Sequence, residues 1–253
     1  MTPLLEAKGV SKYFGEFRAL QGVSLAINAG EFVAVVGPNG AGKTTLVNLL
    51  TGLLTPSKGQ VFFKGANISG VGPIALAKRG MARTFQLVQI FPQLTVAETI
   101  AAAVVSQQQK QWRLFATLSA DVALRERVRQ IADIFGLSDR LQSAARMLSQ
   151  GEKKLLDVAS AFALNPEVIL LDEPTSGVST SEKHALMKTL IGAAKAAGVR
   201  AIILVEHDMD LVASYSQRIV ALSEGKLLAD LPPGPFFADP QIIAAVVGKR
   251  KGH

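Results

Sequence analysis

The chain has 253 residues, 49% hydrophobic and 19% charged, which suits a folded domain with a substantial core and excludes global disorder. It contains no cysteine, so disulfides and thiolate metal sites are excluded. The net charge of +7, from 27 basic and 20 acidic residues, is spread along the chain apart from a short run at Lys249-Arg250-Lys251 and does not by itself mark a nucleic-acid binder.

Met1 to Glu6 lacks the basic-then-apolar pattern of a signal segment. No run approaches the roughly 20 apolar residues needed to span a bilayer. Ile90 to Val105 is fairly apolar, but Pro92, Gln93, Glu98 and Thr99 interrupt it. The expectation is a protein that meets a membrane, if at all, from its surface.

Leu4 to Val10 and Val23 to Ile27 read as short strands, the second by its alternation. Between them lies Ser11-Lys12-Tyr13-Phe14-Gly15-Glu16. Its aromatic pair either packs on the core or offers one ring to stack on a base, and local reading does not choose between Tyr13 and Phe14. Glu31 to Val36 is an apolar run that reads as a buried strand. It leads into Gly37-Pro38-Asn39-Gly40-Ala41-Gly42-Lys43-Thr44, the phosphate-binding pattern G-x-x-x-x-G-K-[ST], and then into a helix from Thr45. Glycines let successive N–H groups turn toward phosphate, and the helix start adds partial positive charge. Lys43 would reach the β- and γ-phosphates, and the Thr44 hydroxyl would ligate Mg²⁺.

Leu54 to Gly59 reads as a turn region and Gln60 to Lys64 as a strand. Ala75 to Gln86 carries Lys78, Arg79 and Arg83 before Thr84-Phe85-Gln86. Thr95 and Glu98 match a capping box that starts a helix. Gln107 to Arg113 is a polar connector or an exposed helix end. Asp121 to Phe135 has an apolar face of Val122, Leu124, Val128, Ile131, Ile134 and Phe135, as a helix requires. Leu148-Ser149-Gln150-Gly151-Glu152 reads as a second capping box, opening a helix to about Leu164 whose N-terminus could also hold an anion.

Strand character returns with Val168 to Leu171, followed directly by Asp172 and Glu173. A carboxylate at the carboxyl edge of a parallel sheet is placed to hold Mg²⁺, as Asp172, and a second to orient or deprotonate water, as Glu173. His184 to Ala197 reads as a helix and Ala201 to Val205 as a buried strand. Glu206-His207-Asp208 follows it in the same way, so His207 is a candidate for the γ-phosphate. Glu206 and Asp208 are weaker candidates, and His184 and His253 read as surface residues. Met209 to Tyr215 reads as a helix and Arg218 to Leu222 as a last strand-like run, with the Gly225 turn leading to a hairpin-like piece at Lys226 to Ala229. Leu231 to Pro235 reads as the end of regular structure, with a short helix over Gln241 to Val247 and nothing that suggests an added regulatory domain.

The ordered set resembles the nucleotide-binding subunit of an ATP-binding-cassette transporter, over nearly the whole chain. The resemblance implies an α/β P-loop NTPase core with a mixed N-terminal sheet (residues 1–86 and 167–230), an inserted helical subdomain (87–166) and a short C-terminal extension (231–253). It implies that Gly37, Pro38, Asn39, Gly40, Ala41, Gly42, Lys43, Thr44 and Thr45 cradle ATP, that Phe14 rather than Tyr13 stacks on adenine, and that Gln86 ligates Mg²⁺ or water and senses a membrane partner. Thr44, Gln86 and Asp172 would hold Mg²⁺. Lys43, Glu173 and His207 would carry the chemistry. Ser149, Gln150, Gly151 and Glu152 would grip the γ-phosphate of ATP held by a second cassette facing this one head to tail.

Two positions depart from the family pattern. Gln150 stands where a first glycine is usual, and Ser179, within Ser176-Gly177-Val178-Ser179, stands where an aspartate is usual at the dimer interface. Hydrolysis is still expected, with the two ATP sites unequal if the partner is a different cassette. The stretch Met81-Ala82-Arg83-Thr84-Phe85-Gln86, the polar insertion near 107–120 and the close around Asp239-Pro240-Gln241 resemble bacterial importers of branched-chain amino acids, amides or urea. That implies a location on the cytoplasmic face of the inner membrane. It also implies a homodimer or heterodimer of cassettes on integral permeases, an extracytoplasmic solute-binding protein as indirect partner, and no nucleic acid. A cassette ATPase of a non-transport process and a non-hydrolysing binder are the other readings. The first lacks a long coiled-coil insertion or second cassette, and the second is disfavoured by Glu173 and His207.

Overall fold

The structure is a computed structural model that describes residues 2–84, 92–107 and 121–247. In chain order the strands and helices are β1 (Leu5–Phe14), β2 (Phe17–Ile27), β3 (Phe32–Val36), α1 (Lys43–Leu50), β4 (Lys58–Phe63), β5 (Ala66–Asn67), α2 (Pro73–Lys78), β6 (Met81–Arg83) and α3 (Val96–Gln107). Then follow α4 (Val122–Ile134), α5 (Gln150–Phe162), β7 (Val168–Asp172), α6 (Thr180–Ala196), β8 (Ala201–Val205), α7 (Met209–Tyr215), β9 (Arg218–Ser223), β10 (Lys226–Leu231), α8 (Pro233–Ala238) and α9 (Pro240–Val247). The described residues of Met1–Leu76 and Arg200–His253 form one compact unit, and those of Ala77–Val199 another.

In the first unit β2, β1, β4 and β5 make an antiparallel sheet in that order. The β1–β2 hairpin closes with Phe14 opposite Phe17, and its register shifts at several points. Those shifts break strict alternation, which is why β1 runs through Ser11–Phe14 although the sequence pattern ends it at Val10. A second set of strands centres on β3, flanked by β8 and β9, both parallel to it, with β10 antiparallel on the far side of β9. Every residue of β3 and of β8 is buried. An unbroken apolar run is what a parallel strand covered on both faces needs. Ala34, Val36, Ile219 and Ala221 pack with Val212 of α7, Phe236 of α8 and Val246 of α9. Arg218 ties the edge together, its guanidinium donating to Asp230, Glu31 and the carbonyl of Ala26.

The α8 helix corrects the expectation that regular structure stops at Leu231–Pro235. Pro233 and Pro235 lie in the first turn of the helix, where backbone N–H groups have no intrahelical acceptor to lose.

In the second unit β6 runs parallel to β7, with Met81 opposite Val168 and Arg83 opposite Leu170. The sequence reading had no strand at Met81–Arg83, because three residues carry no period of their own. Among the described residues between 92 and 166 there is no further strand, only an isolated bridge between Thr95 and Ala144. Helices α3, α4 and α5 pack there around a core in which Phe135 meets Phe162 edge to face, with ring centres 5.2 Å apart. Both capping boxes form. Thr95 N–H donates to the Glu98 carboxylate at 2.7 Å and Glu98 N–H to Thr95 Oγ1 at 3.1 Å. Ser149 and Glu152 do the same at 2.7 and 3.2 Å. Asp121 caps α4, accepting from Leu124 N–H at 3.1 Å.

Candidate functional site

The glycine loop leaves the buried end of β3 and enters α1 at Lys43. Gly37 has φ +148°, and a Cβ there would stand 2.3 Å from the Leu222 carbonyl oxygen. Gly42 has φ +101°, and a Cβ there would stand 2.7 Å from the Ala19 carbonyl oxygen. Both positions therefore demand glycine on two counts, conformation and space. The loop is braced from the side by Gly225, whose N–H donates to the Ala41 carbonyl at 3.1 Å.

No side chain caps the start of α1, and no acidic residue lies in its first turn. The partial positive charge of the helix start is thus left available to an anion. Lys43 is 7% exposed. Its ammonium donates to the carbonyls of Gly37 at 2.7 Å and Pro38 at 3.0 Å, so it lies inside the loop's curve. Asn39, Gly40 and Thr44 are exposed, Pro38, Gly42 and Thr45 partly buried, and Ala41 buried.

His207 leaves the end of β8, which lies beside β3 with Val35 opposite Val205. The loop and His207 thus leave the carboxyl edge of neighbouring parallel strands, the edge where open α/β sheets bind ligands. His207 is exposed. Its neighbours have other work. Asp208 caps α7, accepting from the N–H groups of Asp210 and Leu211, and Glu206 is 4% exposed and accepts from His207 N–H. Phe14 stands at the hairpin tip, 49% exposed, so it takes no part in the core. The Lys12 ammonium lies 5.3 Å from its ring centre.

In the second unit Asp172 ends β7 and is 3% exposed. Its carboxylate accepts from Arg83 Nη2 at 2.6 Å, and its N–H donates to Thr84 Oγ1 at 3.3 Å. The sequence pattern gives Arg83 no role at the site, so this partner of the metal-holding candidate was missed. Glu173 follows, partly buried, with φ +47°. A left-handed glutamate is uncommon and costs about 1 kcal/mol or more. Its carbonyl is held by Ser176 N–H at 3.1 Å and by the Lys154 ammonium at 3.4 Å. Lys154 lies on α5 and is 7% exposed, so the helix that Ser149 opens also supports the backbone of Glu173.

Ser149 and Gln150 are exposed, Gly151 and Glu152 partly buried. The Glu152 carboxyl is held below its usual range, first by the Ser149 N–H and also by Arg140, whose Nε lies 2.9 Å away. Ser179 precedes α6, and its hydroxyl donates to the Glu182 carboxylate in the first turn. His184 is exposed on α6, as expected. Phe85, Gln86, residues 108–113 of the polar stretch, the basic run Lys249–Lys251 and His253 lie outside the described residues.

Asp157, also on α5, was not singled out from the sequence. Its carboxyl is pushed up from 3.8 to about 7 by burial, against the pull of the Lys154 ammonium. An acid raised by folding binds its proton more tightly in the folded chain. Its stabilising contribution is therefore full below about pH 4 and lost as pH rises to about 7. Asp157→Asn removes that loss, so the variant gains on the unaltered chain between pH 4 and pH 8. The gain is at most ~4 kcal/mol, and less after solvent screening of a partly buried group. Urea unfolding of both chains at pH 5 and pH 8 checks this, and an equal pH dependence in the two would refute it.

Among the described residues there is no cluster of three or more His, Asp or Glu side chains able to cage a metal. The candidate donors are a hydroxyl, Thr44, and a carboxylate, Asp172. Hard oxygens in small number suit Mg²⁺, which is commonly held by one or two protein groups together with substrate phosphates. The donor chemistry therefore fits that ion. No helix of the described residues is long and apolar enough to cross a membrane.

A glycine loop between a buried parallel strand and a helix, with a histidine released from the neighbouring strand end, defines a phosphate-loop nucleotide-binding protein of α/β class. Residues 20–176 match the family model described as ABC transporter, and the chain belongs to that family, as an ATP-binding cassette. It is 34% identical to the high-affinity branched-chain amino acid transport ATP-binding protein LivG of Salmonella typhimurium, over 98% of each chain. An ATP-binding cassette of an ABC transporter in its ADP conformation superposes with a TM-score of 0.85 at 28% identity, covering 98% of this chain and all of that one. A dimeric cassette in a post-hydrolysis state with ADP and Pi superposes at 0.75 and 25% identity, covering 90% of this chain and 98% of that one.

Proposed function

We propose that this chain hydrolyses ATP to power import of a small polar solute, a branched-chain amino acid or a related amide or urea compound, through a separate membrane permease. The observation that carries the cargo class is the match over 98% of both chains to a branched-chain amino acid transport ATP-binding protein.

The residues would divide the work as follows. The N–H groups of Gly37 to Thr45 and the Lys43 ammonium bind the β- and γ-phosphates, and Phe14 stacks on adenine. Thr44 and Asp172, with Gln86, hold Mg²⁺, which neutralises phosphate charge when bound. Glu173 takes the proton of the attacking water, and His207 hydrogen-bonds the γ-phosphate. The developing charge falls on oxygens that Lys43 and the helix start already face, so stabilisation is preorganised.

Ser149 to Glu152 of one cassette would close over the nucleotide of a partner cassette, head to tail. The dimeric relative with ADP and Pi supports the pairing of two cassettes. ATP favours the closed state because it makes contacts there that the open state lacks, and hydrolysis removes them. The exposed helical surface around α3 and α4 would receive the permease, and the chain would sit on the cytoplasmic face of the membrane.

Recovery of the tagged chain from native membranes tests this. Co-purification with an integral permease, and ATP turnover stimulated by a solute-binding protein loaded with leucine, isoleucine or valine, is the expected result. Stimulation only by loaded amide or urea binders would reassign the cargo. Recovery with ribosomes or DNA and no permease would overturn the transport reading.

A further inference from the structure

Arg83 ends β6 and Asp172 ends β7, and these parallel strands are tied at their tips. Arg83 Nη2 lies 2.6 Å from Asp172 Oδ2, with the two side chains 9% and 4% exposed. Thr84 N–H donates to the Leu170 carbonyl at 2.9 Å, and Asp172 N–H donates to Thr84 Oγ1 at 3.3 Å. Three bonds therefore converge on the end of the strand that carries the carboxylate.

A carboxylate this buried requires a cation beside it. A guanidinium does not lose its proton in a protein, so Arg83 stays charged at every pH at which the chain is folded. A divalent cation that approaches Asp172 meets a carboxylate already neutralised, with a fixed positive charge next to it.

We propose that Arg83 is a positioning residue that competes with the divalent cation for the Asp172 carboxylate. It holds that side chain in place, and it weakens the hold on metal so that the cation leaves readily with the product. This rests on the assignment of Asp172 to Mg²⁺ made above. It adds a residue outside the phosphate loop that sets the metal affinity of the site.

The test is Mn²⁺ binding, read by electron paramagnetic resonance of free Mn²⁺ in the presence of a non-hydrolysable ATP analogue. Arg83→Met is expected to lower the melting temperature, since it strips a buried carboxylate of its partner. It is also expected to tighten Mn²⁺ binding about tenfold or more, since it removes a like charge near the ion. Arg83→Gln keeps a hydrogen-bond donor without the charge and is expected to tighten binding in the same direction with a smaller loss of melting temperature. It serves if the methionine variant does not fold. Arg83→Lys, which keeps the charge, is expected to stay near the unaltered affinity.

A purely structural arginine would lower the melting temperature and leave Mn²⁺ affinity unchanged or weaker in R83M and R83Q. That result overturns the proposal while the nucleotide reading stands. If the unaltered chain itself takes up no Mn²⁺ with the analogue, the metal assignment of Asp172 falls, and the inference falls with it.

Discussion

Glu173→Gln retains ATP binding and loses turnover by about 10²–10⁴-fold, the usual worth of a positioned general base. The substitution is close to isosteric, and the backbone that aims the side chain is held by groups the change does not touch. The Glu173 carbonyl keeps the Ser176 N–H at 3.1 Å and the Lys154 ammonium at 3.4 Å, and the φ of +47° is equally open to glutamine. What is lost is the ability to accept a proton from water. Phosphate release should fall to the residual rate, and the variant with ATP should accumulate as a dimer on size-exclusion chromatography, because the step that reopens the closed state is blocked. Turnover at the unaltered rate would mean that another group handles the water.

Lys43→Ala weakens ATP binding about 30- to 1,000-fold, the loss of ~2–4 kcal/mol expected when charge-assisted bonds to phosphate are removed. Lys43 lies within the loop, 7% exposed, with its ammonium against the Gly37 and Pro38 carbonyls. Those carbonyls lose a donor in the variant, so a melting curve must accompany the affinity. Lys43→Arg separates the two effects. It keeps the charge, but its planar fork does not fit a seat shaped for a compact ammonium, so affinity should recover only in part. Fluorescent ATP-analogue titration reads all three chains, and an unchanged affinity in K43A would remove the phosphate-loop assignment.

What could be read from the sequence follows from how local the cause is. The phosphate loop, both capping boxes and the buried strands β3, β7 and β8 depend on residues within a few positions, and each formed where the pattern placed it. The elements that were missed depend on distant partners or on rules that cut both ways. β6 exists because β7 lies beside it. α8 was hidden because prolines that end a helix also begin one well. The Arg83–Asp172 pair joins positions 89 apart, and no local period encodes such a contact. Asp208 shows the opposite case. It was read as a weaker candidate for the site, and its place directly before Met209 makes it the cap of α7.

The capping box that opens α5 has a consequence for how two cassettes recognise each other. The Glu152 carboxylate already occupies the electropositive end of that helix, bound to the Ser149 N–H at 2.7 Å and to Arg140 at 2.9 Å. The chain thus carries its own counter-anion where an incoming phosphate would dock. Free inorganic phosphate, with one weak contact to offer, does not displace a tethered rival. A triphosphate presented by a facing subunit, as proposed above, would do so, because its other bonds hold it in register while the exchange occurs. On the proposed role of Ser149 to Glu152, the start of α5 would be silent toward loose anions and would respond to nucleotide delivered on a partner.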